Sequence, residues 1–498
     1  MASKPVSPAQ RKKILRVIVI SLLLDLISFT FILPLFPRLL EFYRDHEAAD
    51  ASPHSLLNRI LLGLNAYKQS FSRPISDRYD VVLLGGALGS LFSLLQAIAS
   101  PFIGSLSDKY GRRTALLWSM AGNIASVALW LAATDFRTFL ASRFVGGLSE
   151  SNVQLATAMA ADVSDENQRG ATMALVGACF SVAFTFGPAL GAALASVETV
   201  AANPFATAAG VSLLLILVET LYLYLYLPET LPSSRPSEPG NGSVERSKVL
   251  GKSTSRTNSY FLLNSTHFIF ILFFSGMEFS LPFMTYDLFA YTSSQTGRLL
   301  GFMGLLASIL QGGVTRRIHP LRAVQVGVVA CVASLFLLGR ITTEVGLWAA
   351  ASLLAITTST VVSGLNTLSS FEAAEAERGG KMGNHRSWGQ AGRALGPLLF
   401  CSLYWWAGRQ VAYAIGAAGM LGVSGLVFGA LKAPAVIPAA IVPAAAIVPA
   451  ELNWCQRIWK WVLFILSLSQ SWEAYLLTWL QNRSNNASKG SVTLDAFN

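Results

Sequence analysis

The sequence predicts an all-α membrane protein with twelve transmembrane helices in two six-helix halves. Three observations predict it. Hydrophobic residues make up 53% of the 498 and charged residues 13%, against about 25% charged in soluble domains. Such a chain cannot cover itself with polar surface, so the bilayer must be its solvent. A hydrocarbon core about 30 Å thick asks for about 20 apolar residues per helix, and stretches of that kind recur along the chain as far as Lys432. Backbone groups left unpaired in lipid are too costly and no barrel-type alternation is present, so the spans must be helices.

Taken in order, the spans fall near 14–37, 81–103, 114–133, 139–161, 171–194 and 205–227, then 260–284, 298–315, 323–339, 345–367, 388–407 and 411–431. Residues 1–13 are basic and lead straight into the first span without a small-residue cleavage site. That span is therefore expected to stay as helix 1 rather than leave as a signal peptide. The first outer loop, Glu41 to Tyr79, is long. Within it Leu56, Leu57, Ile60, Leu61 and Leu64 space like an amphipathic helix lying on the outer membrane face. Residues 14–231 form the first half and 259–432 the second. Between them 232–258 is rich in Ser, Pro, Gly and Lys/Arg, and reads as a disordered linker.

The remaining segment, 433–498, opens with a near-repeat of Val-Pro-Ala and continues Trp-rich from Trp454 to Trp479. An interfacial helix is the favoured reading, with a thirteenth span or a mispredicted coding segment as the alternatives. The sequons at Asn482 and Asn486 matter only if this tail is extracytosolic.

Charge sets orientation. Arg11, Lys12, Lys13, Lys109, Arg112, Arg113, Arg246, Lys248, Lys252, Arg316, Arg317 and Arg322 all fall on one side of the threading. That side is expected to be the cytosol, with both termini facing it. The net charge of +10 is explained in the same way, so nucleic acid is not needed as a partner. Cys179, Cys331 and Cys401 lie inside spans and Cys455 in the tail, with no spacing that suggests a metal site or a disulfide framework.

The most informative run is Gly104-Ser-Leu-Ser-Asp108-Lys109-Tyr110-Gly111-Arg112-Arg113, between the second and third spans. It resembles the loop signature of the major facilitator superfamily, Gly-x-x-x-Asp-(Arg/Lys)-x-Gly-Arg-(Arg/Lys). Gly104 is read as the point where the chain turns when helix 2 ends. Asp108 can sit against a helix N-terminus, where the macrodipole favours a carboxylate, and Arg112 can pair with Asp108. The resemblance adds an acid at the end of helix 4, matched by Asp162. It implies that this cluster latches the two halves together in the outward-open state.

In helix 5, Gly177 and then Gly187-Pro188-Ala-Leu-Gly191 resemble the element that marks antiporter branches of the superfamily. Proline kinks the rod and the glycines allow close backbone approach. A small-residue face of helix 8 (Gly301, Gly304, Ala307, Ser308) is the expected partner. Arg143-Phe-Val-Gly146-Gly147 resembles the element implicated in proton coupling. Pro228 to Leu231 closes helix 6, and Gly392 to Pro397 echoes the helix 5 element.

Charges inside the membrane are rare and functional by default, because insertion costs about 2.5–3.5 kcal/mol each. Asp25 in helix 1, Arg143 and Glu150 in helix 4 and Glu278 in helix 7 are the proton-coupling candidates. Asp25 is the favoured carrier, with Arg143 biasing release, since a buried carboxylate can exchange protons near neutral pH. The superfamily resemblance implies a cavity lined by helices 1, 4, 7 and 10. Its further candidates are Asn152, Thr358, Asn366 and Arg393. Glu219 in helix 6 does not fit this scheme.

The resemblance narrows over residues 14–432. Asp25 to Pro37, Ser142 to Asn152, Phe273 to Glu278 and Gln311 to Pro320 look like the eukaryotic tetracycline transporter-like (TETRAN) proteins of the drug–proton antiporter branch. This implies a secondary transporter that exports amphipathic organic anions or drugs in exchange for protons by alternating access. It is expected to work as a monomer, without cofactor or metal, in the plasma membrane or an internal membrane. No phosphate-binding loop is present to couple ATP, and no nucleophile–base–acid cluster suggests an enzyme. A proton-coupled importer, a facilitator on an internal membrane, and a non-transporting sensor of the same fold are the alternatives.

Overall fold

The computed structural model describes residues 8–32, 35–49, 55–71, 80–195, 203–231 and 257–434. The linker 232–256, the tail from 435 onward and both sequons lie outside the described residues.

Every regular element described is helical. The first nine helices are α1 (Pro8–Thr30), α2 (Phe36–Ala49), α3 (Leu56–Gln69), α4 (Asp80–Tyr110), α5 (Arg112–Ala132), α6 (Phe136–Ser149), α7 (Asn152–Val163), α8 (Glu166–Ala195) and α9 (Ala206–Tyr226). Six more follow: α10 (Tyr260–Phe289), α11 (Ser293–Gly313), α12 (Pro320–Arg340), α13 (Glu344–Glu372), α14 (Arg378–Ala407) and α15 (Arg409–Gly429).

Among the described residues nine helices are long and apolar enough to cross a membrane. The three expected spans outside that set have physical reasons. The first carries Arg11, Lys12, Lys13 and Arg16. The fourth is two short helices, α6 and α7. The eleventh opens with Arg378, Lys381 and Arg386. Large apolar side chains such as Trp118, Phe261 and Trp406 stay exposed on the bundle surface, as lipid-facing residues should.

Four expectations need correction. Helix 1 ends at Thr30 and the chain restarts as α2, because Pro34 and Pro37 cannot donate backbone hydrogen bonds and restrict the residues before them. Helix 2 does not end at Gly104: α4 runs on through the signature to Tyr110, and the turn falls on Gly111, at φ 101°. Helix 4 is broken at Glu150–Ser151. The amphipathic segment does form a helix, capped by Ser55, whose side chain accepts the Asn58 N–H, but one of its faces packs on protein, a contact the expectation did not include. Leu64, Tyr67 and Phe71 cover the apolar core of the C-terminal helices, and the Tyr67 hydroxyl lies 2.6 Å from Ser402 Oγ of α14.

The two sets of helices meet along α4–α14, α8–α11 and α8–α13, while α10 packs on α14 and α1 on α8 and α9. Close approach is enabled by small residues. A side chain on Gly104 would collide with the Gly379 carbonyl, and one on Gly383 with the Ser100 carbonyl. Gly104 is thus a helix-packing position, not a turn. The helix 5 glycines divide. Gly187 and Gly191 face Thr30 and Phe31 at the end of α1, whereas Gly177 faces Ser363 and Gln311 across the two sets. On α11, Gly304 meets Thr185 of α8, but Gly301 faces open space.

Candidate functional site

At the end of the bundle that carries the signature, Asp108 faces the first turn of α14. It accepts the Gly379 and Gly380 N–H groups at 2.8 and 2.6 Å. A carboxylate against unpaired amides at the positive end of a helix is well placed electrostatically. Its Oδ1 also takes Arg112 Nη1 at 2.6 Å, and Arg112 Nε reaches Asp162 at 2.9 Å. Arg378 closes the network onto the other Asp162 oxygen at 2.6 Å.

Arg112 and Asp162 have side chains 0% exposed, so this is a desolvated network rather than a solvated basic loop. Glu229, in the run after α9, accepts the Arg112 and Arg113 N–H groups at 2.8 and 3.2 Å and so caps α5. Arg113 donates to the Tyr224 carbonyl, and exposed Lys109 lies over the Tyr110 ring.

Midway along the bundle the break in helix 4 builds a second site. Ser119 of α5 satisfies the gap: its Oγ accepts the Ser151 N–H at 3.0 Å and lies 2.5 Å from the Ser149 carbonyl. The first residue of α7, Asn152, donates from Nδ2 to Asp25 Oδ1 at 3.0 Å. Asp25 is 3% exposed and Glu150 9%. Asp25 Oδ2 has no hydrogen-bond partner among the described residues.

Asp25, Glu150, Arg143, Asn123 and Trp130 line a cavity of about 40 Å³. That holds a water or so and is far below the 300 Å³ at which organic-ligand pockets begin. In this conformation the cavity suits a proton, not a solute.

Arg143 does not pair with Asp25. Its guanidinium lies 5.5 Å from the Phe139 ring and 6.0 Å from that of Trp130, and its electrostatic partner is Glu150. The half-buried Arg386 of α14 carries the positive charge whose field reaches both carboxylates, without an ion pair to either among the described residues. Sequence reasoning missed this residue.

Glu278 of α10 sits apart, 3.6 Å from Arg393, each side chain nearly half exposed. Thr358 is exposed and Asn366 half-buried on α13, and neither lines the cavity. Glu219 is fully buried and accepts from Ser21 at 2.7 Å, one turn before Asp25 on α1. Beside Arg386, His267 and His385 stack with ring centroids 4.3 Å apart.

Comparison with known proteins gives a consistent result. A model described as Major Facilitator Superfamily matches residues 18–397. The chain is similar to "Major facilitator superfamily domain-containing protein 10" of Mus musculus, 35% identical over 82% of this chain and 91% of the relative. It is also similar to the class E tetracycline resistance protein of Escherichia coli, 26% identical over 66% of this chain and 79% of the relative. Among solved structures, the crystal structure of the human organic anion transporter MFSD10 (TETRAN) superposes with TM-score 0.73 at 31% identity. That match covers 84% of this chain and 100% of the other.

Proposed function

Because the chain belongs to the Major Facilitator Superfamily and is a membrane transporter rather than an enzyme, we propose that it moves amphipathic organic anions or drugs across the bilayer, coupled to protons, by alternating access. The moving bodies are the halves 14–231 and 259–432. The signature end faces the cytosol, because Lys and Arg gather there. The protein works as a monomer in the plasma membrane or an internal membrane.

One observation carries the reading. Asp25 and Glu150 are buried where helix 4 is discontinuous, with Asn152 at the start of α7 bonded to Asp25. Interrupted helices at mid-bundle are where secondary transporters bind ions and solutes. Asp25 carries the proton, with Glu150 as its neighbour, and the Asp108–Arg112–Asp162–Arg378 network holds the cytosolic side shut. The Gly-Pro-x-x-Gly element of α8 supports export in exchange for protons.

The test is flux in proteoliposomes with and without a pH gradient. A gradient should drive accumulation of an amphipathic dye by the wild-type protein, and Asp25→Asn should abolish the gradient-driven part while the protein remains folded. Full gradient-driven flux in Asp25→Asn and in Glu150→Gln would overturn the assignment of the carriers.

A further inference from the structure

The cavity beside the helix 4 break is walled by Asp25 of α1, Phe92 of α4, Trp130 of α5, Arg143 of α6 and Ile216 of α9, among others. Every lining residue lies between Asp25 and Ile216, so α10 to α15 supply none of its walls. Three polar atoms of these lining residues are buried without a hydrogen-bond partner among the described residues: Trp130 Nε1, Arg143 Nε and Asp25 Oδ2. The residues are 2%, 8% and 3% exposed. They come from three helices and meet at one cavity. Neighbouring polar groups are already committed. Ser126 Oγ donates to the Ser142 carbonyl, the Ser28 and Ser212 hydroxyls bond each other, and Asn152 takes Asp25 Oδ1. A buried indole N–H ordinarily has a partner, and leaving a buried polar atom unpaired costs free energy.

The unpaired atoms decide what this cavity takes. Two are N–H donors and one is a carboxylate oxygen. A cation would satisfy Asp25 but leave both donors unpaired, beside the charge of Arg143. An anion would suit the donors but stand against Asp25 and Glu150. Water accepts from Trp130 Nε1 and Arg143 Nε and donates to Asp25 Oδ2, so it pairs all three. A cavity of about 40 Å³ has room for one or two waters, at about 10–15 Å³ each. The titratable groups around Asp25 are few. Glu219 of α9 holds Ser21 one turn away, Glu150 and Arg143 share the cavity, and Tyr43 of α2 and Arg386 of α14 act from farther off. The helices α4, α5, α7 and α8 carry charge only in their end turns, and α8 adds the buried Cys179 thiol.

We propose that this cavity is a water site inside the first half, that Trp130 is its positioning residue, and that the proton of Asp25 enters and leaves through the water held there. The inference rests on Asp25 as the carrier and adds the medium and the residue that orders it. On protonation, one O–H bond of the water breaks as the bond to Asp25 Oδ2 forms, and that water takes a proton back from the next. No other bond changes and nothing is oxidised or reduced. By donating to the water oxygen, the Trp130 N–H leaves both water hydrogens free for carboxylates, which favours the ionised form of Asp25. Since α10 to α15 supply no wall, an organic solute that passes between the halves does not have to displace this water.

Magnetic resonance of the purified full-length protein in nanodiscs, with isotope-labelled indole nitrogens, tests this without any transport. The signal missing from Trp130→Phe identifies Trp130. Its indole proton should show magnetisation transfer from water, and its nitrogen shift should titrate with pH in the wild-type protein but not in Asp25→Asn. Trp130→Phe keeps a ring and loses the donor. In proteoliposomes it should raise the pH midpoint of gradient-driven dye flux by about half a unit, a threefold gain in the proton affinity of Asp25. A purely packing role for Trp130 would lower the melting temperature and leave that midpoint in place. An indole proton without water contact, a nitrogen shift indifferent to Asp25, or an unmoved midpoint in folded Trp130→Phe overturns the proposal. The first two are read on protein that keeps Trp130, so they stand even if Trp130→Phe fails to fold. Water contact without any gradient-driven flux in the wild-type protein overturns the carrier reading instead, and with it the proton role given to this water.

Discussion

Replacing Asp108 by Asn isolates the charge of the latch, because the side chain keeps its shape. The carboxylate accepts two backbone N–H groups from the opposite half, Gly379 at 2.8 Å and Gly380 at 2.6 Å. Its pair with Arg112 lies within one half and persists whichever way the transporter opens. Only contacts that differ between states shift the equilibrium, so the Arg112 pair cancels and the two amide bonds remain. Downgrading a charge-assisted bond to a neutral one costs about 1–1.5 kcal/mol. Asp108 is 14% exposed, so solvent screening is limited, and two bonds give about 2–3 kcal/mol. That is a shift of roughly 30- to 150-fold toward the state open at the signature end.

A cysteine at Ser370, buried on α13 beside the Arg169 contact, reports the shift in a background without the four native cysteines. Its reaction with a membrane-impermeant thiol reagent added on that side should accelerate by the same factor. Rates within twofold of the parent, in folded protein, would refute the latch argument.

Two further outcomes follow from packing. Gly104→Ala places a methyl 2.3 Å from the Gly379 carbonyl oxygen. Backbone on both sides cannot yield, so the α4–α14 contact should loosen, with a cost of about 1–3 kcal/mol read as faster Ser370→Cys labelling and a lower melting temperature. At the opposite end, Tyr67 and Phe71 form an aromatic cluster with Trp405, with ring centroids 6.3 and 6.0 Å from it. Tyr67→Ala should open that side and raise thiol access to a cysteine at Ser402; unchanged access would show that α3 is only a cover.

Much of the latch was legible in the sequence because its acids and bases are ordered by a local spacing, Asp108 to Arg112, that no packing choice can disguise. Helix ends were less legible. The apolar window closed at 103 because Ser105, Ser107, Asp108 and Lys109 are polar, yet α4 continues because the other half of the protein, not lipid, covers that turn. The same window opened helix 11 at 388, since Arg378 to Ser387 is almost wholly polar, whereas α14 starts at Arg378. Arg386 was lost with those residues. The break at Glu150–Ser151 carries neither proline nor glycine. What produces it is tertiary, namely Ser119 from α5 satisfying the interrupted backbone, and a single-segment pattern contains nothing of that. In the outer segment the period correctly gave a helix, but period does not distinguish a lipid surface from a protein one.

The latch and Arg386 share α14, and this makes a coupling between the latch and Asp25 measurable. Asp108 holds the amides of Gly379 and Gly380, and Arg386 stands six residues beyond Gly380 on the same unbroken helix, about 9 Å at 1.5 Å per residue. Neutralising Asp25 changes the force on Arg386, and Asp108→Asn changes the hold on the helix end. If α14 moves as one rod, each variant alters what the other can still do. Combining Asp108→Asn with Asp25→Asn should then give a population shift, read at Ser370→Cys, that departs from the sum of the single variants by about 1 kcal/mol, or about fivefold in labelling rate. Direct interaction between separated, partly screened charges does not supply that much. Additivity within about 0.5 kcal/mol would mean that Asp25 and the latch report to the two-state equilibrium independently, and that α14 carries no message between them.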